Sequence, residues 1–187
     1  MNAPRLARVG DAVAAAGLRA AGYTRITRLV FLRSDAGRIL PPPDLHLEAY
    51  SAATVAAFGE VLLASYIGTL DCPELNDDRP AGAILGMYCG TAGTAEWYLA
   101  RVGGVPAAIL LLTPALATWG LAYLGLAPAF RGRGLGTKLT QFALARSGGA
   151  LSLNVDERNL AALAIYAKFG FRAYAESDVY LQLDGAT

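Results

Sequence analysis

Apolar and polar positions along this chain follow two rhythms, and each change of rhythm marks an element. Short runs rich in strand formers extend from Glu96 to Val102, from Pro106 to Thr113 and from Trp119 to Leu126. Gly103-Gly104 predicts a hairpin turn between the first two, so the three form an antiparallel meander. The run beginning at Val105 is continuously apolar, as a central strand covered on both faces requires. Helical spacing predicts helices over Ala52–Tyr66, from Pro80 to about Tyr88, from Gly134 to Arg146 and from Asn159 to Phe169. A short strand at Leu45–Tyr50, a loop through Gly68–Asp78, a strand at Ala150–Val155 and a final stretch Phe171–Leu183 complete the series. The fold class is α/β, an α+β arrangement with helices on a mixed sheet.

Pro41-Pro42-Pro43 stiffens the backbone and can neither continue a helix nor donate to a ladder. It sets residues 1–44 apart, as an N-terminal helix-strand extension, from a main domain over residues 45–187. Within the extension, Asp11-x-x-Ala14-x-x-x-Leu18-x-x-x-Gly22-Tyr23 mirrors Asn159-x-x-Ala162-x-x-x-Tyr166-x-x-x-Gly170-Phe171. Two readings stay open: a remnant of a duplicated domain, or the spacing of any amphipathic helix that ends at a C-cap glycine before a strand. On either, we expect a docked structural element.

Composition narrows the function classes. The chain has 187 residues, 55% of them hydrophobic and 17% charged, enough for one sizeable core. Sixteen basic and 15 acidic residues leave a net charge of +1, so no broad attraction to nucleic acid or to an anionic membrane is expected. Any anion must be held locally. Cys72 and Cys89 have no metal-ligand spacing, and His46 is the sole histidine, so no metal site is expected. Free thiols, the lack of an unbroken apolar leader and the lack of a run of about 18 apolar residues predict a soluble cytoplasmic protein.

The hexad Arg131-Gly132-Arg133-Gly134-Leu135-Gly136 follows an apolar strand and precedes a helix, which is the layout of an anion cradle. Glycines let backbone amides approach the ligand, the helix N-terminus adds its dipole, and two arginines add charge. The spacing matches neither the dinucleotide fingerprint nor the Walker loop, since Lys138 lies two residues past the last glycine with no serine or threonine after it. Another phosphate ligand is favoured.

The segment Leu126-x-Pro128-x-x-Arg131-Gly-Arg-Gly-Leu-Gly136, followed by Asn159-x-x-Ala162-x-x-x-Tyr166-x-x-x-Gly170-Phe171, resembles the GCN5-related N-acetyltransferase (GNAT) superfamily. The resemblance covers roughly Leu45 to the C-terminus and is strongest over Trp119–Phe171. It implies a mixed sheet splayed into a V that holds acetyl-CoA as acyl donor, with no metal. It implies that the amides of Arg131, Gly132, Arg133, Gly134, Leu135 and Gly136 bind the coenzyme pyrophosphate. Leu126 would pair with the pantetheine arm, and the Leu124 amide would donate to the thioester oxygen as charge develops there. Asn159, otherwise a simple N-cap, would contact the coenzyme, and Tyr166, otherwise a core aromatic, would be the general acid for the departing thiolate. The base is not legible. Positions where family members carry a carboxylate hold Asn154, Gly120 and Tyr123, which leaves Asp71, Glu74, Glu96, Tyr123 or water.

The leading expectation is therefore an acetyl-CoA-dependent N-acetyltransferase acting by direct attack of a primary amine, from a small molecule or a peptide, on the thioester. A non-catalytic acyl-CoA-binding or regulatory module is the second reading, and a nucleotide-binding protein using the same loop the third. Monomer and homodimer stay equally open.

Overall fold

A computed structural model describes residues 5–76, 79–89, 96–114 and 118–182. The expected loop end at Asp77-Asp78 and the expected strand end at Leu183 lie outside the described residues. In chain order the elements are β1 (Arg5–Val9), α1 (Ala12–Ala20), β2 (Thr24–Asp35), β3 (Leu47–Ala49), α2 (Val55–Tyr66), α3 (Ala81–Cys89), β4 (Glu96–Val102), β5 (Val105–Pro114), β6 (Trp119–Leu126), α4 (Leu135–Arg146), β7 (Ala150–Asp156), α5 (Leu160–Lys168) and β8 (Arg172–Gln182). Single 3-10 turns at Pro73–Leu75 and Pro128–Phe130 punctuate two of the loops. The meander over β4, β5 and β6 is antiparallel as expected, with Gly103 and Gly104 both at positive φ in its first turn. Among the described residues no helix is long and apolar enough to cross a membrane.

The strands form one sheet in the order β1-β8-β2-β7-β6-β5-β4-β3, antiparallel throughout except between β6 and β7. Strand β5 shows why its run had to be apolar: Ala108, Leu110 and Leu112 join one core cluster, whereas Ile109 and Leu111 join the other. The first cluster holds Leu135, Leu139 and Leu144 of α4 and Tyr166 of α5, and the second holds Phe58, Val61 and Leu62 of α2 and Ile84 and Leu85 of α3. Period-two alternation thus sends alternate side chains to opposite helical layers.

Strand β6 carries two irregularities. Leu111 lies opposite Tyr123 and Leu112 opposite Leu121, so Ala122 is a bulge. The extra residue reverses the phase of the strand, turning Leu124 and Leu126 toward the α4 layer and Tyr123 toward α2 and α3. Beyond the bulge, β6 also parts from its parallel neighbour. The two strands pair only at Trp119 with Leu151 and Gly120 with Ser152, and then separate into an open fork.

The N-terminal segment sits inside the sheet. β2 lies between β7 and β8, antiparallel to both, and β1 closes the outer edge of β8. The mirrored spacing seen in the sequence extends into this pairing. With Asp11 aligned to Asn159, the pair Thr24–Leu181 answers to Arg33–Arg172, Arg25–Tyr180 to Leu32–Ala173, Thr27–Val179 to Phe31–Ala175 and Arg28–Asp178 to Val30–Glu176, while Leu29–Ser177 maps onto itself. Even the two register shifts exchange. Helix capping alone does not dictate a strand register, so β1-α1-β2 and β7-α5-β8 are two units about a local two-fold axis. The copies differ in chemistry: Asp11 and Asn159 both cap their helices, by accepting from Ala14 and Ala162, but Leu18 stands where the second unit has Tyr166.

Candidate active site at the fork of the sheet

Strand β6 ends at the fork, and the glycine-rich loop starts there. Ala127 donates its N–H to the Ala107 carbonyl of β5 at 2.9 Å. Alternation then turns the Gly125 amide toward β5 and the Leu126 and Leu124 amides into the gap left by β7. Gly132 and Gly134 have φ of 71° and 80°, the left-handed region that side chains disfavour. Gly134 is the N-cap of α4 and no side chain caps that helix, so its first amides are presented at the mouth of the fork. Gly136 serves differently: a Cβ there would lie 3.2 Å from Cδ1 of Ile165, so its small size lets α4 approach α5. Leu135 is buried beneath, Arg133 is exposed on the loop, and the Lys138 side chain is paired with Asp44.

Arg131 works in a way the sequence did not suggest. Its guanidinium donates to the carbonyls of Ser65 at 2.8 Å, Ile67 at 2.8 Å and Gly68 at 3.2 Å, and its Nε donates to Leu126 at 3.2 Å. These are carbonyls at and just past the C-terminus of α2 and at the end of β6, where helix geometry supplies no backbone donor. The charge expected to face an anion instead clamps α2 to the glycine loop, favourably placed at the negative end of the helix dipole.

On the α5 side, the Asn159 Oδ1 accepts from Ala162 N–H at 3.2 Å, the N-cap expected of it. Capping uses only the oxygen, and the Nδ2 amide retains its donors. Tyr166 is 8% exposed, its ring 5.4 Å from that of Phe171. Burial, and after it the Asp71 charge, raises its pKa well above the ordinary phenol value, so the hydroxyl stays protonated at neutral pH.

The candidate bases separate by environment. Glu96 accepts from Tyr98 at 2.9 Å and pairs with Arg146, and it lies across β5 toward the closed end of the fork. Glu74 is held by both Arg158 nitrogens at 2.6 and 2.9 Å, and that pairing lowers its pKa. Tyr123 shares a hydrogen bond with Ser65 at 2.7 Å, and burial pushes its phenol far up. Asp71 differs. Its Oδ1 accepts the Asp156 N–H of β7 at 3.0 Å, placing the carboxyl at the open edge of the fork, and burial followed by the Asp156 charge raises its pKa.

Asp156 is a residue of the candidate site that the sequence analysis did not single out. It is fully buried and accepts from Thr27 at 2.7 Å, from Cys72 N–H at 3.0 Å and from the Arg158 backbone at 2.9 Å and side chain at 2.6 and 3.0 Å. Burial works against its charge, yet the Arg158, Thr27 and Cys72 hydrogen bonds hold it well below the usual carboxylate range. The only sequence signal was Asp156-x-Arg158 just ahead of Asn159. This carboxylate ties β2, β7 and the Asp71–Glu74 loop together, with Cys72 in the left-handed region at φ 46°. Asp71, Cys72 and Asp156 bring three potential ligand atoms within 4.8 Å of one another. In this structure the Asp156 oxygens are already supplied with donors by Thr27, Cys72 and Arg158, and burial pushes the Cys72 thiol up to about 12.

Comparison with known proteins places this arrangement. Residues 67–171, more than half of the chain, match the family model "Acetyltransferase (GNAT) family". No curated protein matches. Among solved structures, a GCN5-related N-acetyltransferase from Sphaerobacter thermophilus superposes with a TM-score of 0.66 at 13% identity, over 95% of this chain and 59% of its own. One from Kribbella flavida gives 0.60 at 20% identity, over 96% and 68%. A tandem GNAT protein from the clavulanic acid biosynthesis pathway gives 0.64 at 15%, over 98% and 64%. The chain thus spans about six-tenths to two-thirds of the length of these similar structures, whose likeness carries the fold. With the family model covering the fork, the glycine loop and α5, the chain belongs to the GNAT acetyltransferase family.

Proposed function

We propose that this protein transfers an acetyl group from acetyl-CoA to a primary amine. The observation that carries the reading is the fork: β6 and β7 part after Gly120 and Ser152, and the uncapped α4 N-terminus with its two left-handed glycines stands at the mouth. A pyrophosphate suits the amides of residues 132–136, since free N–H groups and the helix dipole both favour an anion; the Arg131 amide, expected to join them, instead donates to the Pro128 carbonyl at 3.2 Å and closes the turn before the loop. The pantetheine arm would then run along the exposed edge of β6, using the Leu126 amide. The Leu124 amide, facing the same gap, would donate to the thioester oxygen when a tetrahedral intermediate forms.

Tyr166 is suited to protonate the leaving thiolate. Its raised pKa keeps the proton available, and its burial keeps the ring in place. Asn159 would hold the coenzyme through its Nδ2 amide. A Tyr166→Phe variant tests the assignment: kcat is expected to fall about 100-fold or more, the usual contribution of a positioned acid, while acetyl-CoA binding measured by calorimetry stays within about twofold. Unchanged turnover would remove Tyr166 from the chemistry. Acetyl-CoA binding with no amine-dependent turnover in the wild type would favour the non-catalytic reading, and stabilisation by ATP or NAD but not acetyl-CoA would favour a nucleotide site.

A further inference from the structure

Three tyrosines and one carboxylate gather on the side of the fork opposite the α4 layer. Tyr66 ends α2, Tyr88 lies near the end of α3, and Tyr123 is turned toward both by the Ala122 bulge. Their rings are in contact: Tyr66 and Tyr123 are 6.4 Å apart between centroids, and Tyr88 and Tyr123 are 5.7 Å apart. All three are half-buried, and together they form an aromatic wall. Tyr123 is fixed by its hydrogen bond to Ser65, and Gly125 leaves the room this needs, since a Cβ there would come within 2.7 Å of the Ser65 hydroxyl. Asp71 lies close enough for its charge to act on Tyr88 and Tyr123; the residue is exposed, but its carboxyl, anchored through Oδ1 to the β7 backbone, is partly withdrawn from solvent.

We propose that the Tyr66–Tyr88–Tyr123 wall and Asp71 form an acceptor pocket for alkylammonium substrates, in which Asp71 takes the proton that frees the amine to attack. The proposal rests on the acetyl-transfer reading and names its substrate class. Aromatic faces attract a cation through the ring quadrupole, and a carboxylate at the rim supplies the countercharge. A neutral alcohol or amide gains neither. The Asp71 charge reaches the site: after burial, it is among the influences that raise the phenols of Tyr88, Tyr123 and Tyr166, so all three remain hydrogen-bond donors. Glu74 cannot take its place, because Arg158 holds both of its oxygens.

The protons balance. The ammonium gives one proton to the Asp71 carboxylate and becomes a neutral amine, whose lone pair forms the C–N bond. Collapse of the tetrahedral intermediate breaks the C–S bond, the thiolate takes the Tyr166 proton, and the second nitrogen proton restores the phenol. Asp71 then returns its proton to solvent. Charged and titratable groups facing Asp71 are Asp156 and Arg158 from β7 and the loop after it, Cys72 from its own loop, and the phenols of Tyr88, Tyr123 and Tyr166. Burial and Asp156 raise its pKa while the Asp156 amide and Arg158 lower it, with a net rise, which suits a base that must release its proton again.

Binding of choline and of its neutral isostere 3,3-dimethylbutanol to the coenzyme-free protein tests the pocket without requiring turnover. Choline is expected to bind about tenfold more tightly, the scale of one partly desolvated cation–π contact with its countercharge. Asp71→Asn should bring the two ligands within about threefold of each other, and Tyr88→Leu should weaken choline alone. Equal affinities in the wild type, or a choline preference untouched by Asp71→Asn, would overturn the proposal. A parallel acetyl-CoA titration separates the two readings: choline selectivity without acetyl-CoA binding rejects the transferase and keeps the pocket, and the reverse keeps the transferase and rejects the pocket. In turnover with a primary alkylamine, Asp71→Asn should lower kcat about 100-fold and abolish the acidic limb of the pH profile, and a full acidic limb in the variant would contradict the proton role.

Discussion

Two aspartates joined by one backbone amide carry opposite electrostatic assignments. Asp156 is buried and supplied with donors from three elements, so folding favours its charge. A depressed carboxyl contributes stability that is present above its unfolded value near 4 and is lost as pH falls through the lower folded value. Asp71 shifts the other way: its folded pKa is raised, so ionisation at neutral pH works against folding. We therefore expect Asp156→Asn to lower stability at pH 7 by about 3 kcal/mol, as removal of one partner from a buried ion pair does, with the gap to wild type closing as pH drops below 4. Asp71→Asn should unfold at no lower urea concentration than wild type at pH 7, since an amide oxygen still accepts the Asp156 N–H. Urea midpoints across pH 3 to 8 check both, and a destabilised Asp71→Asn would show that its charge is structural. The sequence made Asp71 visible as one of several acids beside a predicted helix. For Asp156 it offered only the local Asp156-x-Arg158 spacing, because the other partners, Thr27 and Cys72, are brought to it by sheet and loop packing.

Most elements were legible from local pattern. Predicted strands at Glu96–Val102 and Trp119–Leu126 have those ends in the structure, and the helix expected from Asn159 starts at the next residue with Asn159 as its cap. Periodicity and turn glycines are local signals, so they survive folding. Strand order is not local. Nothing in the run from Thr24 to Asp35 announces that it lies between β7 and β8, or that its register with β8 repeats about a two-fold axis. The position has a measurable consequence. Removing residues 1–43 would leave β7 and β8 without their shared partner and expose the surfaces that Leu29 and Leu32 cover, so a fragment starting at Asp44 should fail to give a cooperative melting transition. A cooperative transition in that fragment would show that β2 is dispensable. The Arg131 clamp is the other element-level device. Arg131→Ala removes the donor to carbonyls at the end of α2 and, on the proposed reading, should raise KM for amine and for acetyl-CoA together, since one side chain ties α2 to the glycine loop. Arg131→Lys should restore little, because one ammonium cannot span carbonyls of Ser65, Ile67, Gly68 and Leu126.

At the scale of the molecule, a single sheet is pulled open where the parallel pair of β6 and β7 ends. On the proposed reading the two helical layers serve different substrates: α4 and α5 would frame the donor, and α2, α3 and the Asp71 loop the acceptor. The donor side was readable because an anion needs a compact motif, a glycine loop leading into a helix. The acceptor side was not, because Tyr66, Asp71, Tyr88 and Tyr123 lie on four separate segments and no spacing links them. The most direct test of this account is release of free CoA thiol from acetyl-CoA on addition of a primary alkylamine at neutral pH. Saturable, amine-dependent release that falls about 100-fold in Tyr166→Phe is expected. Tight acetyl-CoA binding without any amine-dependent release across small-molecule and peptide amines would contradict it.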